Sequence, residues 1–207
     1  MLPALVLAAG DSTRMGSPKA LLPTPDGRPF VAAVARALSA AGIDDIVVVT
    51  GRDHDRIVAA IARDDLPHPP RCIRNLDPSR GQLSSLWAGM DAAVRHDTQG
   101  LLVTLVDVPL VAPETIRQVV GAWRRTRAAI VRPAIGARHG HPVVFDRVLF
   151  DELRAAPLDR GAKTVVRAHA REIVEVPVED EGAMIDVDTP QEYAALLGDE
   201  GRANKRG

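Results

Sequence analysis

The chain has a single cysteine, Cys72, in 207 residues, so it can form neither an internal disulfide nor a cysteine-rich zinc site. Aromatic residues are nearly as scarce, with three Phe, two Trp and one Tyr. That excludes the stacked platform on which single-stranded nucleic acid is held. Charge of one sign is also missing: 26 basic residues stand against 27 acidic ones. No global field therefore draws in nucleic acid, and any polyanion site must be local. No run approaches the ~18 apolar residues of a membrane span. The apolar run at residues 5–9 lacks a basic lead-in and is too short for a secretory signal. The expectation is a cytoplasmic protein without nucleic-acid or membrane partners.

What is present suits one folded domain over residues 1–198: 46% hydrophobic and 26% charged residues, enough to bury roughly 70% of the unfolded surface. Residues 199–207 carry no apolar anchor and read as a disordered tail. The stretch that organises the rest is LVLAAGDSTRMGSPKALLP, residues 5–23. It opens as a run of the kind buried on both faces of a parallel sheet. It then breaks into a loop with Gly10 and Gly16, two hydroxyls, Arg14 and Lys19. A buried strand that delivers glycines and cations to its C-terminal end is how an open α/β sheet builds a phosphate site; a plain surface turn with solvated cations is the alternative. The loop is not a Walker A loop, because five residues separate its glycines and Pro18 precedes Lys19, nor does it hold a Gly-x-Gly-x-x-Gly fingerprint.

The signature Leu-Ala-Ala-Gly-x-Ser-x-Arg-Met-Gly-x-x-Lys-x-Leu-Leu-Pro resembles that of the nucleotidyltransferases related to molybdenum cofactor cytidylyltransferase and guanylyltransferase, within the wider sugar-phosphate nucleotidylyltransferase superfamily. The resemblance implies that Leu7, Ala8, Ala9, Gly10, Ser12, Thr13, Arg14, Met15, Gly16 and Lys19 wrap an NTP, with Arg14 and Lys19 neutralising its triphosphate.

Strands and helices alternate along the remainder. Residues 29–41 read as an Ala-rich helix between Pro29 and Gly42, and residues 46–50 as a β-branched strand. Asp53 caps a helix to about residue 63, and a short strand covers 72–74. Residues 75–90 form a polar loop running into a helix. There Ser84 and Ser85 sit where caps and anion donors lie. This stretch also resembles the family's Asn-Pro…Gly…Ser-Leu motif, which implies that Asn75, Gly81, Ser84 and Ser85 meet the base and ribose; Leu76 replaces the proline.

Residues 101–110, LLVTLVDVPL, read as a central strand closed by Asp107. A carboxylate at the C-terminal end of such a strand, beside a triphosphate loop, is placed to hold Mg²⁺ (or Mn²⁺). In Met184-Ile-Asp-Val-Asp-Thr-Pro, an extended backbone aims Asp186 and Asp188 to one side, and Thr189-Pro190 opens a helix. The resemblance makes Asp188 the second metal ligand, with Asp186 as a further candidate. It also implies acceptor contacts at Gly140, His141 and Pro142, and at Asp159, Gly161 and Lys163. In that last segment Leu158 and Lys163 depart from the Gly and Arg usual there. His139 and His141 lie two apart with no third ligand evident, which argues against zinc.

The expected fold is a three-layer α/β/α sandwich with a mostly parallel, Rossmann-like sheet. Its two late strands, after Gly140-His141-Pro142 and near residue 174, are read as antiparallel additions. The expected reaction is Mg²⁺-dependent nucleotidyl transfer to a phosphate acceptor with release of pyrophosphate. Lys19, Arg14, Asp107 and Asp188 are its catalytic groups. The resemblance divides Leu-Ala-Ala-Gly chains, which resemble CTP users, from Leu-Ala-Gly-Gly chains, which resemble GTP users. Ala9 thus favours CTP with a molybdopterin-type acceptor, and handover of the product to a molybdenum enzyme or its chaperone is implied. Alternatives are a GTP-using or sugar-phosphate nucleotidylyltransferase, a glycosyltransferase using Asp186-x-Asp188, and a non-catalytic nucleotide-binding cofactor chaperone.

Overall fold

The computed structural model describes residues 1–10 and 15–198. The expectations for Ser12, Thr13 and Arg14, and for the tail, lie outside the described residues. Among the described residues eight strands form one mixed sheet: β1 (Ala4–Ala8), β2 (Ile46–Thr50), β3 (Arg71–Arg74), β4 (Gly100–Leu105), β5 (Ile130–Ile135), β6 (Arg138–His139), β7 (Val143–Asp146) and β8 (Ile173–Pro177). The order is β3-β2-β1-β4-β7-β5-β6, with β8 paired to β5. Strands β3, β2, β1 and β4 run parallel, and β7 enters antiparallel between β4 and β5.

β7 is antiparallel, as its sequence reading had it. β8 is not: it pairs parallel to β5 over residues 173–177. Strand direction depends on which neighbour the strand meets and how the connection returns, and local residue pattern holds neither.

Among the described residues, seven α-helices cover the sheet. On one face lie α1 (Phe30–Ala40), α2 (His54–Ile61), α4 (Pro113–Thr126) and α7 (Pro190–Gly198); on the other lie α3 (Gln82–Ala93), α5 (Phe150–Ala155) and α6 (Lys163–Ala168). This arrangement explains why β1, and β2 up to its closing Thr50, are apolar instead of alternating. Ala4, Val6 and Ala8 pack towards Phe30, Val34, Ile116 and Val119, while Leu5 and Leu7 pack towards Leu86, Met90 and Leu153. Each fully buried Leu or Val there contributes roughly 1.5–3 kcal/mol relative to exposure. Among the described residues, no helix is long and apolar enough to cross a membrane.

The chain winds outward from β1 to β2 and β3 and then crosses back to β4 on the other side of β1, so the strand order reverses between β1 and β4. That is the switch point at which open α/β sheets bind ligands. The register sets the details. Leu7 pairs with Leu105, and the Val106 N–H donates to the Leu7 carbonyl at 3.1 Å, which brings Ala9 and Asp107 level just beyond the strand ends.

At the same edge of the sheet, just before β7, Gly140 has a packing role. A Cβ there would meet the Ala183 carbonyl oxygen at 2.1 Å, and the His141 N–H donates to that oxygen at 2.9 Å. Backbone thus lies directly on backbone, and the turn holds the segment that leads to Asp186 and Asp188. Gly140→Ala is expected to lower stability by ~1–3 kcal/mol, because the clash is with main chain and not with a side chain that can turn away. Denaturant unfolding checks this, and a loss below ~0.5 kcal/mol would show that the two segments separate freely.

Candidate nucleotide and metal site

The C-terminal ends of β1, β2 and β4 and the start of α3 enclose a cleft of about 580 Å³. Leu7, Ala8, Ala9, Gly10 and Gly16 line it from the loop after β1. Asp107 lies beyond β4, Gly81 and Ser85 border α3, and Lys19 and Asp188 stand at one side.

The charged centre is built from three distant parts of the chain. The Lys19 ammonium donates to Asp107 Oδ2 at 3.1 Å and to Asp188 Oδ1. Burial alone would lower the lysine pKa, but the Asp188 hydrogen bond and the nearby Asp107 charge outweigh it and hold the ammonium above its ordinary value. Two carboxylates therefore already converge on one cation. The second oxygen of Asp107, Oδ1, is buried without a hydrogen-bond partner, a group with unused acceptor capacity that is costly to leave so. These features fit a hard divalent cation, which takes one or two carboxylates and completes its shell with phosphate and water. Among the described residues no group of three or more His, Cys, Asp or Glu forms a complete protein cage.

Asp188 is not on a strand. It follows a short 3-10 turn, Glu181–Met184, and the Val187 N–H donates to the Asp107 carbonyl at 2.9 Å, so the backbone ties the two aspartates together. Asp186 lies two residues away and faces His141 electrostatically. Loss of solvation holds the Asp186 carboxyl above its usual value, against the pull of that imidazole. Burial holds His141 below the usual histidine value, against the charge of Asp186, and its Nδ1 is buried without a partner.

Asn75 and Ser84 are occupied within the protein. Asn75 Nδ2 donates to Ser84 Oγ at 2.9 Å and Ser85 Oγ at 3.0 Å, its Oδ1 accepts from the Asp77 N–H, and Ser84 Oγ donates to the Gly81 carbonyl at 2.7 Å. This network fastens the loop at residues 75–81 onto the first turn of α3. Gly81 at that turn has φ 90°, a conformation that favours glycine. Asn75 also borders a smaller cavity of about 200 Å³ beside the cleft. Met15, Gly140, His141, Pro142, Asp159, Gly161 and Lys163 do not line the cleft. Asp159 and Lys163 are exposed near the start of α6, and His139 pairs instead with Glu175 at 3.2 Å.

Several residues that the sequence did not single out also line the cleft, among them Gly51, Arg52 and Gln82. The signal existed for the first two, which follow β2 as Gly10 follows β1. Gly51 lies against β1 so closely that a Cβ would meet the Ala9 carbonyl oxygen at 2.7 Å. Arg52 brings a cation to the cleft, and Gln82 opens α3 there.

Residues 4–173 match the MobA-like NTP transferase domain, and the chain belongs to that family. It is 33% identical over 201 residues to nicotine blue oxidoreductase of Paenarthrobacter nicotinovorans, covering 93% of this chain and 95% of that protein. It is 34% identical over 140 residues to a probable molybdenum cofactor guanylyltransferase of Mycobacterium avium (strain 104), covering 67% and 66%. The solved structure of Rv0371c from Mycobacterium tuberculosis H37Rv is 29% identical and superimposes with a TM-score of 0.77, covering 95% of this chain and 97% of that one. A manganese complex of Rv0371c is also similar, at 27% identity, a TM-score of 0.73 and the same coverage.

Since the Lys19 ammonium lies where the two carboxylates meet, it competes for any cation placed between them. Lys19→Met is therefore expected to bind Mn²⁺ alone several-fold more tightly than the wild type, measured from the free-ion signal in electron paramagnetic resonance. Unchanged or weaker binding would show that Asp107 and Asp188 do not form a cation site.

Proposed function

We propose that this protein is a metal-dependent nucleotidyltransferase that moves a nucleotidyl group from an NTP to the phosphate of a molybdopterin-type acceptor, with CTP as the donor. The observation that carries this reading is the convergence of Asp107 and Asp188 on the Lys19 ammonium at the side of the cleft beyond β1. Membership of a nucleotidyltransferase family supports the reaction class.

An acceptor phosphate oxygen attacks the α-phosphorus. The new P–O bond forms as the α–β bridging bond breaks, and its electron pair leaves on pyrophosphate. The attacking oxygen is already anionic, so neither a general base nor a protein nucleophile is required, and positioning with charge neutralisation does the chemistry. Lys19, with Arg14, holds the departing phosphates. Gly10 and Gly16 let main-chain N–H groups approach them, and Asp107 and Asp188 hold a divalent cation. That cation, Mg²⁺ or Mn²⁺, supplies charge neutralisation at the α-phosphate. Asn75 and Ser84 keep the loop at residues 75–81 in place so that Gly81 and Ser85 face the nucleotide.

The base is assigned from Ala9, whose methyl group narrows the cleft against a purine. A GTP-using molybdopterin guanylyltransferase is the second reading, favoured by the Mycobacterium avium relative's name. Cytoplasmic location and handover of the product to a molybdenum enzyme or its chaperone belong to the same proposal.

The test follows pyrophosphate with Mg²⁺, molybdopterin and each NTP in turn. CTP is expected to support release, and Asp107→Ala is expected to lower the rate on the order of 10²–10³-fold. Release with GTP alone would overturn the CTP assignment. Near-wild-type release by Asp107→Ala would overturn the metal role. No release with any NTP would overturn nucleotidyl transfer to this acceptor and direct the assay to the redox reaction named for the Paenarthrobacter relative. Ala9→Gly is expected to raise GTP use relative to CTP, read as the ratio of kcat/KM; an unchanged ratio would remove Ala9 as the selector.

A further inference from the structure

Of the two carboxylates on Lys19, Asp188 is the less supported by the sheet. Its side chain is 42% exposed against 18% for Asp107, and it lies in a connection with no strand partner. Something other than the sheet must fix its direction. On one side this is Val187, fully buried, whose N–H reaches the Asp107 carbonyl. On the other side it is Glu192, in the first turn of α7.

Thr189 and Glu192 form a capping box: the Glu192 N–H donates to Thr189 Oγ1 at 3.2 Å, and Glu192 Oε2 accepts from the Thr189 N–H at 2.8 Å. In an ordinary box the reciprocal bond ends there. Here the same oxygen also accepts from the Asp188 N–H at 2.8 Å. The Asp188 N–H, followed by the Thr189 hydroxyl and N–H, holds the Glu192 carboxyl below its usual range, so it is a strong acceptor. α7 is itself anchored to the segment that carries Lys19. Tyr193 Oη donates to the Pro23 carbonyl at 3.0 Å, the Tyr193 ring meets the Phe30 ring edge-on at 5.9 Å, and Leu196 is buried.

We infer that Glu192 is a positioning residue: it fixes the backbone at Asp188 so that this carboxylate meets a divalent cation together with Asp107, without touching the cation itself. The inference rests on the cation reading of Asp107 and Asp188 given above. It differs from a cap that serves only α7, because the bond at issue is to the residue outside the helix that carries the ligand.

The experiment titrates Mn²⁺ alone into the full chain and into Glu192→Ala, Glu192→Gln and Asp188→Ala, with free Mn²⁺ read by electron paramagnetic resonance and thermal melting measured alongside. Glu192→Ala is expected to weaken Mn²⁺ binding on the order of 10- to 100-fold, the usual consequence of losing a residue that orients a metal ligand. Glu192→Gln keeps an amide oxygen that can accept both N–H groups and is expected to stay within a few-fold of wild type. A lowered melting temperature with unchanged Mn²⁺ affinity in Glu192→Ala, while Asp188→Ala binds weakly, would show a mere helix cap and overturn the inference. Wild-type binding by Asp188→Ala would overturn the cation reading itself, and this inference with it.

Discussion

The interaction on which the site depends is the ammonium of Lys19 held between Asp107 and Asp188. Two carboxylates brought together in a partly buried cleft repel each other, and each loses hydration. The lysine offsets both costs, so the cleft can be assembled before any substrate arrives. The ion pairs also join three regions that are far apart in sequence: the loop after β1, the end of β4 and the connection into α7. Main-chain bonds from Val187 to Asp107 and the Tyr193 hydroxyl bond to Pro23 repeat the same connection without charge.

The sheet explains why these parts can meet. With β1 flanked on both sides by parallel neighbours, three strand ends open onto one edge, and the loops beyond them face a common space. Apolar packing on both faces leaves the strands no freedom to shift register, since a slip by one residue would exchange the Leu5 and Leu7 face for the Ala4, Val6 and Ala8 face. Rigidity in the core thus becomes precision at the edge. The MobA-like family membership and the likeness to Rv0371c agree with this layout.

Much of it was readable in the chain. The runs at residues 5–9 and 101–106 are apolar without alternation, which marks strands buried on both faces, and Asp107 stands directly after the second. The helix start at Pro190 was marked by its proline, and Thr189 does cap α7. Other features depend on what a residue meets across the fold and leave no local trace. β8 runs parallel because β5 is its neighbour. Gly140 is small because the Ala183 carbonyl lies against it, a contact 43 residues away in sequence. Gly51 and Arg52 follow a strand end as Gly10 does, but no motif surrounds them. Asn75 and Ser84 stood out by type, yet their hydrogen-bonding groups turn inward to one another.

The bond between Lys19 and Asp188 spans 169 residues, whereas β1 through β4 form a parallel sheet within the first 105. Contacts of such separation carry a large closure entropy and form late. α7 has Leu196 as its one buried residue, and a helix with so few buried contacts is expected to open more readily than the sheet. The sheet and the charged centre are thus separate levels of order. Fraying of α7 would release Glu192 from the Asp188 backbone while every strand stays paired, so the charged centre is expected to loosen before the sheet does.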